Sequence, residues 1–234
     1  MLKIALTKGR TEKQVIPLLE KSGVDCSGLL NKKRRLIVSV ADKYQFVLAK
    51  GPDVMTYLTN GACDIGIVGS DILEEQGRTE NQLLDLNVGK CRFILASTSS
   101  FDPKEERRKV IGTKYPNITQ RYFESIGEDV EIVKIEGSVE LAPLVGLADA
   151  IVDLTETGTT LKENNLEIYA ELGPISTRLV ANPISLKQKK HEIFELVDAL
   201  ENACGGDLNE NLRKQKFKRN EKNRFNIYET DERS

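Results

Sequence analysis

Apolar residues along this chain fall into short blocks, and the blocks alternate between two periods. Leu2–Leu6 is a compact apolar run of the kind that makes a buried strand. After the turn Lys8-Gly9-Arg10, residues Val15, Leu18 and Leu19 share one helical face. Thr11 and Gln14 have capping-box spacing at its start, and Gly23 stops it. Pro17 should kink this helix or delay its regular part, because proline lacks the N–H that the helix ladder uses. Strands are predicted at Leu36–Val40 and Phe46–Ala49, and a short helix at Asp53–Asn60 ends at Gly61. Asp64–Val68 is the next strand, and Gly69-Ser70-Asp71 opens a further helix. Cys91–Ser97 is an apolar strand, followed by a charged loop around Pro103–Arg108.

A second series starts at Val110. Val110–Thr113 reads as a strand, and Asn117 and Gln120 have capping-box spacing for a helix that ends near Gly127. Ile132–Ile135 is a strand, Val139–Leu147 a short helix and Ala148–Leu154 an apolar strand carrying Asp149 and Asp153. A polar loop and a short helix to Asn164 follow. Strands at Glu167–Leu172 and Thr177–Ala181 precede a last helix capped by Ser185 and Gln188, with Ile193, Leu196, Val197 and Leu200 on its buried face.

Strands alternating with helices predict an α/β protein with mixed, largely parallel sheets. Because the series occurs twice, with a break near residues 87–91, two similar lobes around a central cleft follow. The first is expected to take residues 1–88 plus 179–205, since the final helix can return to it, and the second residues 89–178. A length of 234 residues suits two lobes of roughly 100 residues each. Residues 206–234 are rich in Asn, Lys, Arg and Glu and read as a polar, mobile tail.

Composition narrows the function by exclusion. A net charge of −2 gives no basic surface for coating nucleic acid or an anionic membrane. No apolar run is long enough for a bilayer span, and the N-terminus does not read as an export signal, so a cytoplasmic protein is expected. Cys26, Cys63, Cys91 and Cys204 are too widely spaced for a zinc site or a dense disulfide framework. His191 is the only histidine and lies among charged residues, so no Ser/His/Asp triad can be assembled.

The densest chemistry is at Asp153–Leu161. An apolar strand ends in an acid, and four threonines and one glycine follow within residues 155–160. Gly158 lets backbone N–H groups turn toward one point. Thr155, Thr157, Thr159 and Thr160 can donate hydroxyls to phosphate oxygens, and the following helix start adds partial positive charge. Asp153 can accept from ribose hydroxyls and can help hold a magnesium ion, directly or through water. A helix cap alone needs one such residue, so this concentration points to an anion site. Lys8, Gly9 and Arg10 end the first strand, at the edge where open α/β sheets bind ligands; Lys50 has the same position. Asp64-Ile65-Gly66-Ile67-Val68-Gly69 combines two glycines that admit close approach with apolar neighbours fit to cover a purine. Gly112–Asn117 is another strand-to-helix turn, with Lys114 as its cation.

These stretches, in this order over residues 2–205, resemble the short form of ATP phosphoribosyltransferase, the first enzyme of histidine biosynthesis. Asp149–Leu161 carries most of the resemblance, supported by Lys8-Gly9-Arg10, Asp64–Gly69 and Thr113–Asn117. The resemblance implies a bilobal fold like type II periplasmic binding proteins. It also implies attack by adenine N1 of ATP on 5-phosphoribosyl 1-pyrophosphate, with Mg2+ required. The loop residues Asp153, Thr155, Thr157, Gly158, Thr159 and Thr160 would hold the sugar phosphate. ATP would lie near Lys8, Gly9, Arg10, Lys50, Asp64, Ile65, Gly66 and Gly69. Residues 206–234 are too short and too polar for the added regulatory domain of the long form, so the resemblance implies a homodimer or a hetero-oligomer with a regulatory subunit similar to histidyl-tRNA synthetase. Competing readings are a purine-salvage phosphoribosyltransferase, which usually carries adjacent acids before its T-G-x-T loop, and a non-catalytic bilobal solute-binding protein.

Overall fold

The fold is described from a computed structural model, which describes residues 1–79 and 81–204. The polar stretch 206–234, read above as a tail, lies outside the described residues, as does Gly205, which the sequence predicts to end the last helix. The first half of the chain runs β1 (Leu2–Thr7), α1 (Arg10–Lys21), α2 (Ser27–Leu30), β2 (Ile37–Val40), β3 (Tyr44–Ala49) and α3 (Gly51–Thr59). It continues through β4 (Ile65–Gly69), α4 (Ser70–Glu75), β5 (Gln82–Asp85) and β6 (Cys91–Ser97). Then come β7 (Lys109–Thr113), α5 (Pro116–Ser125), β8 (Val130–Lys134), α6 (Leu141–Leu144) and β9 (Ala150–Thr155). The chain ends with α7 (Thr159–Glu163), β10 (Glu167–Ile175), β11 (Thr177–Ala181), α8 (Pro183–Gln188) and α9 (Lys190–Ala203).

Two sheets form, one per lobe. The first has strand order β2-β3-β1-β4-β11-β5 and the second β10-β6-β9-β7-β8. Each has a parallel centre of three strands, β3-β1-β4 and β8-β7-β9, with antiparallel strands outside it. The central strand β1 is buried on both faces, which explains its unbroken apolar run, while the edge strand β2 alternates exposed and buried positions. The chain crosses between sheets between Asp85 and Cys91 and again at Ser176, a little before the boundary expected at 178. Helix α9 returns to the first lobe, where Ile193, Leu196, Val197 and Leu200 pack with Leu2, Leu6 and Phe46. Phe93, Phe123 and Ile111 centre the second core. Each fully buried aromatic or aliphatic side chain stabilises the lobe by roughly 1.5–3 kcal/mol.

Local rules mispredicted several helix starts. α1 begins at Arg10, with the N–H of Gly9 donating to the Glu12 carboxylate at 3.2 Å, so Thr11 is not its cap. The helix runs through Pro17, which sits on the solvent side where the carbonyl it leaves open can be hydrated. The last helical segment is two helices, and its cap is Asn182 rather than Ser185: the Asn182 side chain accepts from the N–H groups of Ile184 and Ser185 at 2.9 Å each. α6 shrinks to Leu141–Leu144, and β5 carried too few apolar residues to stand out in the sequence.

Candidate active site

The two parallel centres present their carboxyl-terminal strand ends to each other. On the first lobe these are the turns after β1, β3 and β4; on the second, the turns after β7 and β9. Direct contacts join them: Arg10 pairs with Glu156, and the Tyr115 hydroxyl donates to Asp71 at 3.0 Å. A cleft between the lobes follows from the topology, because both sets of turns lie at the same sheet edges.

The second-lobe wall is the loop after β9. Gly158 has φ 77°, a left-handed conformation that an L side chain adopts only with strain, and a Cβ there would meet nothing within 4 Å. The requirement for glycine is therefore backbone shape. The Thr155 hydroxyl accepts from the N–H of Gly158 at 3.0 Å and ties the loop's two ends. Thr157 and Thr159 share a hydroxyl–hydroxyl bond of 2.9 Å, and both are exposed with Thr160. α7 spans only five residues, so donors matter more here than the helix dipole expected from the sequence. Asp153 lies just behind the loop with its carboxylate accepting from the N–H of Leu154 at 2.8 Å. Burial pushes its carboxyl up to about 6, against the smaller opposing effects of that N–H and of Lys114. An acid held in this state gains most from a cation or hydroxyl donors brought to it.

The first-lobe wall is the turn after β1. Gly9 has φ 93°, again a position for glycine, and the exposed Lys8 and Arg10 flank it. Lys50 follows β3, the neighbour of β1, and is also exposed. Lys114 is exposed after β7. One residue missed by sequence reading, Lys32, meets the base of this wall. Lys32-Lys33-Arg34-Arg35 leads into β2, and Lys32 pairs with Glu12 in the first turn of α1. The run of four cations was plain in the sequence, but the contact of Lys32 with Glu12, whose carboxylate also takes the Gly9 N–H, was not.

The structure corrects part of the Asp64–Gly69 reading. Asp64 precedes β4 at the strand's far end and is buried, accepting from the N–H of Lys3 at 2.8 Å, Ser185 at 2.7 Å and Lys189 at 2.8 Å. Burial alone would raise its carboxyl, but these three partners hold it below the usual range. Ile65 is fully buried, and a Cβ on Gly66 would lie 3.1 Å from Val54, so both serve core packing against α3. Only Gly69 reaches the cleft edge. A Cβ there would sit 2.1 Å from the Asp71 carboxylate, so this glycine makes room for Asp71 rather than for a ligand. Burial raises the Asp71 carboxyl despite its bond from Tyr115. Cys91 stands near Asp71 and Asp153, and burial pushes its thiol up to about 11, which removes it as a nucleophile at neutral pH. His191 is exposed on α9.

Among the described residues no three acidic, histidine or cysteine side chains converge on one point. A divalent ion fits this donor set only if substrate oxygens and water supply most of its ligands, with Asp153 as the available carboxylate. No helix among the described residues is long and apolar enough to cross a membrane.

Fold and cleft together define a two-lobed α/β protein of the architecture seen in type II periplasmic binding proteins. The chain is similar to the periplasmic aliphatic sulphonate binding protein SsuA of Escherichia coli, with a TM-score of 0.55 and 12% identity over 92% of this chain and 75% of that one. That likeness carries the fold alone. Residues 50–202 match the family model described as HisG, ATP phosphoribosyltransferase. The chain is 68% identical over 200 residues to the ATP phosphoribosyltransferase of Lactiplantibacillus plantarum, covering 85% of this chain and 92% of the relative. It is 56% identical over 210 residues to that of Listeria monocytogenes, covering 89% and 99%. A chain of the solved ATP phosphoribosyl transferase (HisG:HisZ) complex from Thermotoga maritima shares 40% identity and a TM-score of 0.75, over 89% of this chain and all of that one. The chain belongs to the ATP phosphoribosyltransferase family, and neither the purine-salvage reading nor the solute-binding one is favoured.

Proposed function

We propose that this enzyme transfers the phosphoribosyl group of 5-phosphoribosyl 1-pyrophosphate to adenine N1 of ATP, giving N1-phosphoribosyl-ATP and diphosphate, in the cytoplasm. The observation that carries this reading is the Gly158-centred threonine loop set across a cleft from the Lys8–Arg10 turn, with Arg10 already paired to Glu156. The 5-phosphate is assigned to the N–H and hydroxyl donors of Thr155, Thr157, Gly158, Thr159 and Thr160, and the ribose hydroxyls to Asp153. The nucleotide's phosphates are assigned to Lys8, Arg10 and Lys50 along the Gly9 turn, with Lys114 within reach from the second lobe.

Adenine N1 brings its own lone pair, so no general base is needed. The N1–C1 bond forms as the C1–O bond to diphosphate breaks, and the leaving group takes that electron pair. The protein's work is alignment of N1 with C1, exclusion of water from C1, and cationic stabilisation of the departing diphosphate. Mg2+, held by substrate oxygens and Asp153, would supply further charge neutralisation. A regulatory partner similar to histidyl-tRNA synthetase, in a hetero-oligomer or beside a homodimer, is proposed because the related Thermotoga maritima chain was solved in a HisG:HisZ complex.

The test is an absorbance assay with ATP, 5-phosphoribosyl 1-pyrophosphate, Mg2+ and the partner. Phosphoribosyl-ATP should accumulate only when all are present. Absence of turnover in a correctly assembled complex would refute the activity.

A further inference from the structure

The helix α5 has an incomplete start. Its N-cap residue, Tyr115, offers no side-chain acceptor, yet the first N–H groups of a helix need partners. The acceptor comes from the other lobe. One carboxylate oxygen of Glu75 takes the N–H of Asn117 at 3.1 Å, and the other takes the N–H of Ile118 at 3.0 Å. The exchange is reciprocal. The last turn of α4 gains partners in return: the Glu75 carbonyl receives the Asn117 amide at 2.9 Å, and the Glu74 carbonyl, which also takes the N–H of Gly77 at 3.2 Å, receives Arg121 at 2.7 Å. The end of one helix and the start of another thus complete each other across the lobes.

Its place in the fold gives this splice a mechanical consequence. α4 follows β4 directly, and β4 is hydrogen-bonded to β1, which carries the Lys8–Arg10 wall. α5 follows β7 through Tyr115, and β7 is hydrogen-bonded to β9, which carries the threonine loop. Among the described residues the chain passes between the lobes at residues 86–90 and at Ser176, and these crossings run side by side, with the N–H groups of Leu86 and Thr177 donating to the carbonyls of Thr177 and Val88 at 2.9 Å each. The splice sits beside the second crossing, since the N–H of Ser70 at the head of α4 donates to the Ser176 carbonyl at 2.9 Å. Together with the Tyr115–Asp71 bond, which joins the heads of the same two helices, it ties the lobes outside the crossings and sets the angle between the walls.

We propose that Glu75 is a positioning residue for the transfer: by capping α5 from the opposite lobe it fixes the pivot about which the cleft closes and so aligns adenine N1 with C1 of the phosphoribosyl group. This rests on the phosphoribosyl-transfer reading above. Each wall holds its own substrate, so a loosened pivot spoils alignment more than binding.

The test compares Glu75→Ala, Glu75→Gln and Asn117→Asp in the full chain, under the conditions that give the wild type its turnover. Glu75→Ala should lower kcat by about tenfold to a hundredfold and leave KM for 5-phosphoribosyl 1-pyrophosphate within about twofold. Glu75→Gln keeps one acceptor and should recover part of kcat. Asn117→Asp adds an acid to the first turn of α5, which favours the helix itself, but it repels Glu75. It should lower kcat without lowering the melting temperature. Small-angle X-ray scattering should show a broader lobe-to-lobe distribution for Glu75→Ala and Asn117→Asp. The inference is overturned if both variants keep kcat within about twofold, or if scattering is unchanged. It is also overturned if lost activity merely follows lost melting temperature without rescue by Glu75→Gln. A wild type that makes no phosphoribosyl-ATP would refute the activity instead, and the scattering comparison would still decide the tether.

Discussion

Thr159 shows how the anion site is kept ready at the level of single atoms. Its hydroxyl is satisfied by Thr157 at 2.9 Å on an exposed surface, so both groups can turn to a ligand without breaking a buried contact. Thr159→Val deletes the donor with little change of volume. Affinity for 5-phosphoribosyl 1-pyrophosphate, measured by titration calorimetry, should fall about tenfold, the loss of one hydrogen bond to a charged group. Unchanged affinity would remove Thr159 from the site. Asp149 illustrates the opposite use of a carboxylate. Arg107 holds it through two bonds of 2.6 and 2.9 Å, and the N–H of Val110 adds a third of 2.7 Å. The Arg107 bonds outweigh burial and keep its carboxyl below the usual range. A depressed acid stabilises the fold above its unfolded pKa and loses that effect as pH falls through the folded one. Asp149→Asn should therefore lower the urea midpoint at pH 7, and the gap from wild type should close below about pH 4.

Among the elements, the capping of α8 governs how the last helices return to the first lobe. Asn182 is buried, accepts from two helix N–H groups and donates its amide to the Leu58 carbonyl at 2.8 Å. Asn182→Ala would remove the cap and leave buried groups without partners. The expected loss is about 2–4 kcal/mol of unfolding free energy, read from denaturant curves. A loss below about 0.5 kcal/mol would mean that water replaces the side chain, against its burial. Asp64 belongs to the same corner, since its carbonyl accepts the N–H of Asn182 at 2.9 Å. The corner thus joins the start of β4 to the start of α8, at the end of the sheet away from the cleft.

For the whole molecule, ligand binding and lobe geometry are linked. A ligand that binds only the folded state stabilises it in proportion to the logarithm of its concentration. At a hundredfold excess over its dissociation constant, 5-phosphoribosyl 1-pyrophosphate with Mg2+ should raise the melting temperature by roughly 5–10 °C. Calorimetry with the sugar phosphate alone, then with ATP alone, separates the two walls. No shift with the sugar phosphate would show that the threonine loop does not hold it.

The sequence by itself determined whatever depends on neighbours along the chain. Strand and helix periods at Leu2–Leu6, Cys91–Ser97 and Val15–Leu19 mark buried faces that any packing must use. The Gly158 loop is legible for the same reason: its backbone shape and hydroxyls come from six adjacent residues. Tertiary structure decided what depends on partners far along the chain. Asp64 looked like a ligand group until Lys189 and Ser185 arrived to bury it. Asn117 looked like a local cap until Glu75 reached it from the other lobe. Lys32 gained its place beside the Arg10 turn only through Glu12. Periodicity and turn chemistry are short-range and can be read in order. A carboxylate's role is set by what folding places around it, because burial and paired charge fix both its protonation and what it can still bind.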